Sequence, residues 1–123
     1  MAELIVDGDT LVVRLSALEK LGAMRGDVRV PLRAVRDIRV SDDPWSELRG
    51  VRAPGTGIPR VIALGTRRSA GTKDFTAVYR DMPGVVVELG GAGLDRLVVS
   101  TEDPSAVLGR VAGARSELGP ATG

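Results

Sequence analysis

Apolar residues in this chain come in short, valine-rich runs, most of them closed within a few positions by glycine, proline or aspartate. Leu4-Ile5-Val6, Leu11-Val12-Val13, Val61-Ile62-Ala63-Leu64, Val85-Val86-Val87 and Leu97-Val98-Val99 are the clearest. β-Branched side chains lose rotamer freedom in a helix and pack well on a pleated surface, so such runs favour strands. One late segment differs: Val107, Val111, Ala114 and Leu118 recur at i, i+4, i+7 and i+11, one stripe of an amphipathic helix. Strands followed by a single closing helix is the order this predicts. Trp45, Phe75 and Tyr79 are the only aromatic residues. The core therefore has to be built from Val, Leu, Ile and Ala.

The first two runs flank Asp7-Gly8-Asp9 and read as a hairpin with Gly at its centre. Leu15, Leu18, Leu21 and Met24 allow either a short helix ending at Gly22 or Gly26, or a continuation of the strand. Val28-Arg29-Val30 alternates and Pro31 ends it. Val35, Ile38 and Val40 fit neither the helical nor the strand period, and a half-buried strand fits best. Asp43-Pro44 reads as a helix start with Asp43 as N-cap, Trp45 and Leu48 lying on one side of that turn. Arg49 to Arg60, with two Pro and three Gly, reads as a long loop. Val61–Leu64, Phe75–Tyr79, Val85–Leu89 and Leu97–Val99 read as strands. Turns are expected at Ser69–Thr72, Pro83-Gly84 and Gly90–Gly93. Asp103-Pro104 caps the closing helix and Gly119-Pro120 stops it. The fold class expected is α+β, mainly β: seven or eight strands in a bent, partly open sheet capped by a C-terminal helix. Residues 1–119 form one domain and 120–123 a frayed tail.

At 123 residues there is room for one core. The chain has no Cys and no His, which removes disulfides, thiolate sites, and the commonest general base and metal ligand. No cofactor is expected. No stretch approaches the ~20 apolar residues of a membrane-spanning helix, and the opening residues lack a signal-peptide pattern. A bacterial, cytoplasmic protein is the expectation. Residues 1–48 carry seven basic and nine acidic groups, and residues 81–123 three and six. Residues 49–80 carry seven basic groups against Asp74 alone. That is the strongest asymmetry in the chain.

The opening hairpin Leu4–Leu15, the step from Val30-Pro31-Leu32 to Val35-Arg36-Asp37-Ile38, and the closing Leu97-Val98-Val99-Ser100-Thr101-Glu102-Asp103-Pro104 together resemble the small bacterial pleckstrin-homology-like proteins. The resemblance spans roughly residues 3 to 115. It implies a seven-stranded bent barrel capped by a helix, a fold that hosts lipid binders, peptide binders and oligomerisation modules. Lipid-binding members of that superfamily carry basic residues in the first hairpin loop. This chain has Asp7-Gly8-Asp9 there, which argues against inositol-phosphate binding by that route. The Trp often found in the closing helix of the family is absent too.

Gly65 to Lys73 superficially matches a phosphate loop. It has five residues between its glycines where four are needed, and Thr72 precedes Lys73 where the order should be reversed. It reads as a plain hairpin loop. Asp7-Gly8-Asp9 offers too few oxygens for calcium and reads as a polar turn. Gly90-Gly91-Ala92-Gly93 opens no helix and is no dinucleotide fingerprint.

The segment Arg49–Arg60 is the one candidate binding region. Its prolines stiffen the backbone, its glycines admit a ligand to backbone amides, and Arg49, Arg52 and Arg60 offer forked donors. Thr56 and Gly57 lie within it, and Trp45 is placed to supply an apolar wall. The competing expectation is a structural segment whose arginines pair with carboxylates elsewhere. Three aromatics give no stacking platform for single strands, and no recognition helix appears, so nucleic acid is not an expected partner. Only carboxylates, Ser, Thr, Lys and Tyr79 remain for chemistry, and none clusters, so an enzyme is not expected. The leading expectation is an interaction module binding a protein partner or itself as a homo-oligomer. The alternative is a binder of an anionic small molecule or lipid headgroup through residues 49–60 with Arg67 and Arg68.

Overall fold

The computed structural model describes residues 1–58 and 60–118, with the backbone alone over residues 51–56. These residues form nine strands and two helices. The strands are β1 (Glu3–Asp7), β2 (Thr10–Arg14), β3 (Val28–Pro31), β4 (Val35–Ser41), β5 (Val51–Ile58), β6 (Ile62–Ser69), β7 (Thr72–Tyr79), β8 (Gly84–Leu89) and β9 (Arg96–Ser100). The helices are α1 (Ala17–Ala23) and α2 (Pro104–Glu117), and single 3-10 turns occupy Leu32–Ala34 and Pro44–Glu47. The mainly-strand α+β class and the C-terminal helix agree with the sequence pattern; the strand count exceeds the seven or eight expected.

The strands make two sheets. β1-β2-β3 is an antiparallel meander, and β4-β8-β9-β7-β6-β5 is a six-stranded mixed sheet. β7 and β9 run parallel, so β9 inserts between the consecutive strands β7 and β8. Neither sheet closes on itself. The main core lies between the sheets: Leu11, Val13, Val28 and Val30 from the small sheet meet Phe75, Val85, Val87, Leu97 and Val99 from the large one. Alternate residues of the central strands face outward, and Ala63, Val78, Val86 and Val98 form a second apolar layer covered by Trp45 and Leu48. This is why those runs are continuously apolar. α2 lies across β4 and β1, the edge strands nearest it in the two sheets, and α1 packs on β5 and β6.

Several local expectations need correction. The half-buried strand expected over Val35–Val40 is β4, and its odd spacing is a β-bulge: pairing with β8 shifts between Val35 and Asp37, so Arg36 is the extra residue and the alternation resets after it. Residues 51–58 are an edge strand, not a loop. Its pairing with β6 is irregular between Arg52 and Gly55, where Pro54 sits, and an edge strand or a bulge is where a sheet tolerates proline. Residues 65–68 likewise belong to β6, so the hairpin loop is only the turn Ala70-Gly71. Residues 80–83 form the turn before β8, with Gly84 already its first residue.

α1 settles the ambiguity over residues 15–24. Ser16 is its N-cap in a reciprocal capping box: the Glu19 amide donates to Ser16 Oγ at 3.2 Å and the Ser16 amide to Glu19 Oε1 at 2.9 Å. The helix ends at neither glycine; Met24 caps it in the left-handed region with φ of 58°. In α2, Asp103 Oδ1 accepts from the Ala106 amide at 3.1 Å, as its N-cap role requires. Val107 and Val111 are buried, whereas Leu118 is 44% exposed, so the apolar stripe stops short of the last turn. Gly119-Pro120 and the tail 120–123 lie outside the described residues.

Candidate functional site

The basic segment 49–80 sits on β5, β6 and β7, and Arg49, Arg60 and Arg67 are engaged within the protein. Asp74, only 2% exposed, accepts from Arg49 Nε at 2.7 Å and Arg49 Nη2 at 3.0 Å, a bidentate pair. Arg60 Nη1 donates to Asp43 Oδ1 at 3.0 Å across an exposed surface. Asp43 therefore does not cap the 3-10 turn with its side chain. Its carbonyl receives the Ser46 amide at 3.1 Å and Ser46 Oγ at 2.7 Å, while the carboxylate holds Arg60. Arg67 reaches back to main-chain carbonyls, Nε to Arg49 at 3.3 Å and Nη2 to Gly50 at 2.9 Å. A side chain at Gly50 has no room: its Cβ would stand 2.1 Å from the Arg68 carbonyl oxygen, and its φ is 76°.

The expected site residues separate. Trp45, Gly57 and Arg60 line one open groove of about 420 Å³ on the outer face of β5 and β6, together with Leu48, Ile58, Ile62, Ala63 and Arg67. Arg49 is drawn away to Asp74. The Arg52 and Thr56 side chains and Pro59 lie outside the described residues; the backbone pairs Arg52 with Arg67 and Thr56 with Leu64. Arg60, at the turn between β5 and β6, has a φ of 63°, a conformation that disfavours any residue with a Cβ. The indole Nε1 of Trp45 is buried with no hydrogen-bond partner among the described residues.

A charged lattice fixes the wall that carries Trp45. Arg39 donates to Glu88 Oε2 at 2.8 Å and Glu47 Oε1 at 2.6 Å, and Arg96 donates to Glu88 Oε1 at 3.1 Å and the Glu47 carbonyl at 2.9 Å. Burial works against the Glu88 charge, but hydrogen bonds from Arg39 and Arg96 outweigh it and hold the carboxyl below its ordinary range. The 3-10 turn is thereby pinned to β4, β8 and β9. Arg67 belongs to the groove because it shares the outward side of β6 with Ala63.

Sequence reasoning overlooked a second polar centre. Glu19, 5% exposed, accepts from the Ala2 amide at 2.7 Å, the Ser16 amide at 2.9 Å and the Tyr79 hydroxyl. Burial opposes its charge, yet the Ser16 and Tyr79 hydrogen bonds prevail and the carboxyl lies below its ordinary range. Burial, then the Glu19 contact, pushes the Tyr79 hydroxyl above its usual value. The Ser-x-x-Glu spacing at 16–19 was the available signal.

Among the described residues no group of three acidic side chains gathers as a metal site, and no helix is long and apolar enough to cross a membrane. No family model, no curated protein and no solved structure matches the chain.

Proposed function

We propose that this chain is a non-catalytic, pleckstrin-homology-like interaction module that associates with a second copy of itself through the outer face of α1. The observation that carries the reading is the inverted amphipathicity of that helix. Leu18, Leu21 and Met24 are 82, 76 and 71% exposed, while Glu19 and Ala23 face the core. Single exposed apolar residues are common on any surface. Two large ones on the outward side of a two-turn helix, with a third at its C-cap, make an apolar surface of the kind that proteins cover by association. The runs Val61–Leu64 and Val85–Leu89 lie mainly on β6 and β8, both interior strands, so they need no partner. A C2 contact of α1 with its symmetry mate would cover the patch. Light scattering from micromolar to near-millimolar concentration tests this: a dimer is expected, and Leu21→Glu converts it to monomer without loss of fold. A wild-type monomer throughout that range overturns the reading.

The groove supports a second reading, an anionic ligand with an apolar body held between Trp45 and Arg60. Its support is the positive φ of Arg60, a strain that glycine would relieve. On this reading Arg60→Gly leaves the fold intact or firmer and removes any stabilisation by aromatic carboxylates in a thermal melt.

A further inference from the structure

Two unassigned cations stand opposite each other on one strand face, and a third reaches an aromatic ring of that same face. Arg68 and Lys73 are directly opposite in the β6–β7 register, and neither has an ion pair or side-chain hydrogen bond among the described residues. Like charges at opposed positions of an antiparallel pair repel, and a free hairpin has no reason to hold them there. By strand alternation both share the inward face with Leu64, Phe75 and Ala77, which belong to the main core. The guanidinium of Arg25, just past the end of α1, lies 5.5 Å from the centroid of the Phe75 ring. Phe75 is two residues beyond Lys73 on the same face, roughly 7 Å along the strand. Arg25 Nε is buried with no hydrogen-bond partner among the described residues.

Around Arg68 and Lys73 the hairpin tip forms an open recess of about 280 Å³, lined also by Ser69, Gly71, Thr72 and Asp95. The hydroxyls of Ser69 and Thr72 share a hydrogen bond across the turn. Asp95 is the one carboxylate there, and it is committed to the scaffold: Oδ2 accepts the Lys73 amide at 2.8 Å, and the Asp95 amide donates to the Lys73 carbonyl at 2.7 Å. The segment fails as a helix-opening phosphate loop, because Gly65–Arg68 is strand. What it offers instead is opposed side-chain cations with hydroxyl donors beside them, a donor set that suits the oxygens of a phosphate group.

We propose that the tip of the β6–β7 hairpin, through Arg68 and Lys73 with Arg25 behind them, binds a phosphate group carried by a small anion. A soluble phosphorylated compound and a phosphomonoester lipid headgroup present the same group, and two arms of one experiment separate them. In the soluble arm, pyrophosphate is titrated into the full chain at low salt. A rise in Tm of several degrees is expected once the ligand exceeds its Kd about tenfold, with amide resonance shifts concentrated at residues 68–73. In the lipid arm, sedimentation with phosphatidylcholine vesicles is compared with and without phosphatidic acid, and a dependence on phosphatidic acid assigns the group to a lipid.

Arg68→Glu replaces the repelling pair with an attracting one, so it should raise the ligand-free Tm and abolish the response in whichever arm shows it. Arg68→Lys should keep the response. Arg25→Met, which preserves the apolar stem over Phe75, should weaken it. No response in either arm overturns the proposal, as does a response that survives Arg68→Glu. A lower ligand-free Tm for Arg68→Glu would show that the pair is not repelling and would overturn it equally.

Discussion

The two helices of this protein are built on opposite principles. α2 turns Val107 and Val111 to the core and leaves its polar side in water; it is held by burial. α1 turns Leu18, Leu21 and Met24 to water and buries Glu19; it is held by caps and by the hydrogen bonds that its one carboxylate collects. An apolar stripe in sequence thus marks a helix without fixing which way it faces. The stripe at 107–118 points inward for most of its length, and the stripe at 18–24 points outward.

The largest effect separating the two helices belongs to α2. Val111→Asp places an unpaired carboxylate in the core and should cost about 3–5 kcal/mol, enough to unfold a domain of ordinary stability. A urea melt with a midpoint near that of the parent would show that α2 is not docked by burial. Next comes the polar anchor of α1. Glu19→Gln exchanges charge-assisted hydrogen bonds for neutral ones and should cost roughly 1.5–3 kcal/mol. The Glu19 carboxyl is held below its ordinary value of 4.5 in the folded state. Its contribution is therefore complete above about that pH and is lost as pH falls through the folded value. Stability measured between pH 7 and pH 3 should decline less steeply in Glu19→Gln than in the parent, the remaining slope coming from groups such as Glu88.

Smaller effects sharpen the contrast. Met24→Gly relieves the left-handed cap of α1 and should raise stability by about 0.5–1 kcal/mol, measurable as a higher urea midpoint. Leu18→Lys, on the outward face, should shift the stability of the monomer by no more than about 0.5 kcal/mol in either direction. A loss comparable to that of Val111→Asp would mean that the exposed stripe is in fact a packing face.

The sequence made legible what depends on neighbours close in the chain. The opening hairpin, the Asp103 cap and the interior strands follow from turn chemistry and from valine. Residues 51–58 were unreadable as strand because Pro54, Gly55 and Gly57 outweigh Val51 and Ile58 under any local rule; the edge position that tolerates them is a property of the whole sheet. At the candidate site, Trp45, Gly57 and Arg60 were recognisable as neighbours of one groove, since they lie close together in the chain. Arg49 was not, because its partner Asp74 arrives from β7, 25 positions later. The bulge at Arg36 was visible only as a misfit between Val35 and Ile38 and acquires its meaning from pairing with β8.

The insertion of β9 between β7 and β8 has a consequence for the order in which the molecule is assembled. Before β9 pairs, the large sheet is two separate pieces, β5-β6-β7 and β4-β8, with no ladder between them. During synthesis the chain must therefore emerge past Ser100 before either piece can be joined to the other. Such a late, non-local closure belongs to the slow end of single-domain folding, milliseconds to seconds, roughly, in contrast to the microseconds of helical bundles. One strand of five residues acts as the zip fastener of the whole sheet.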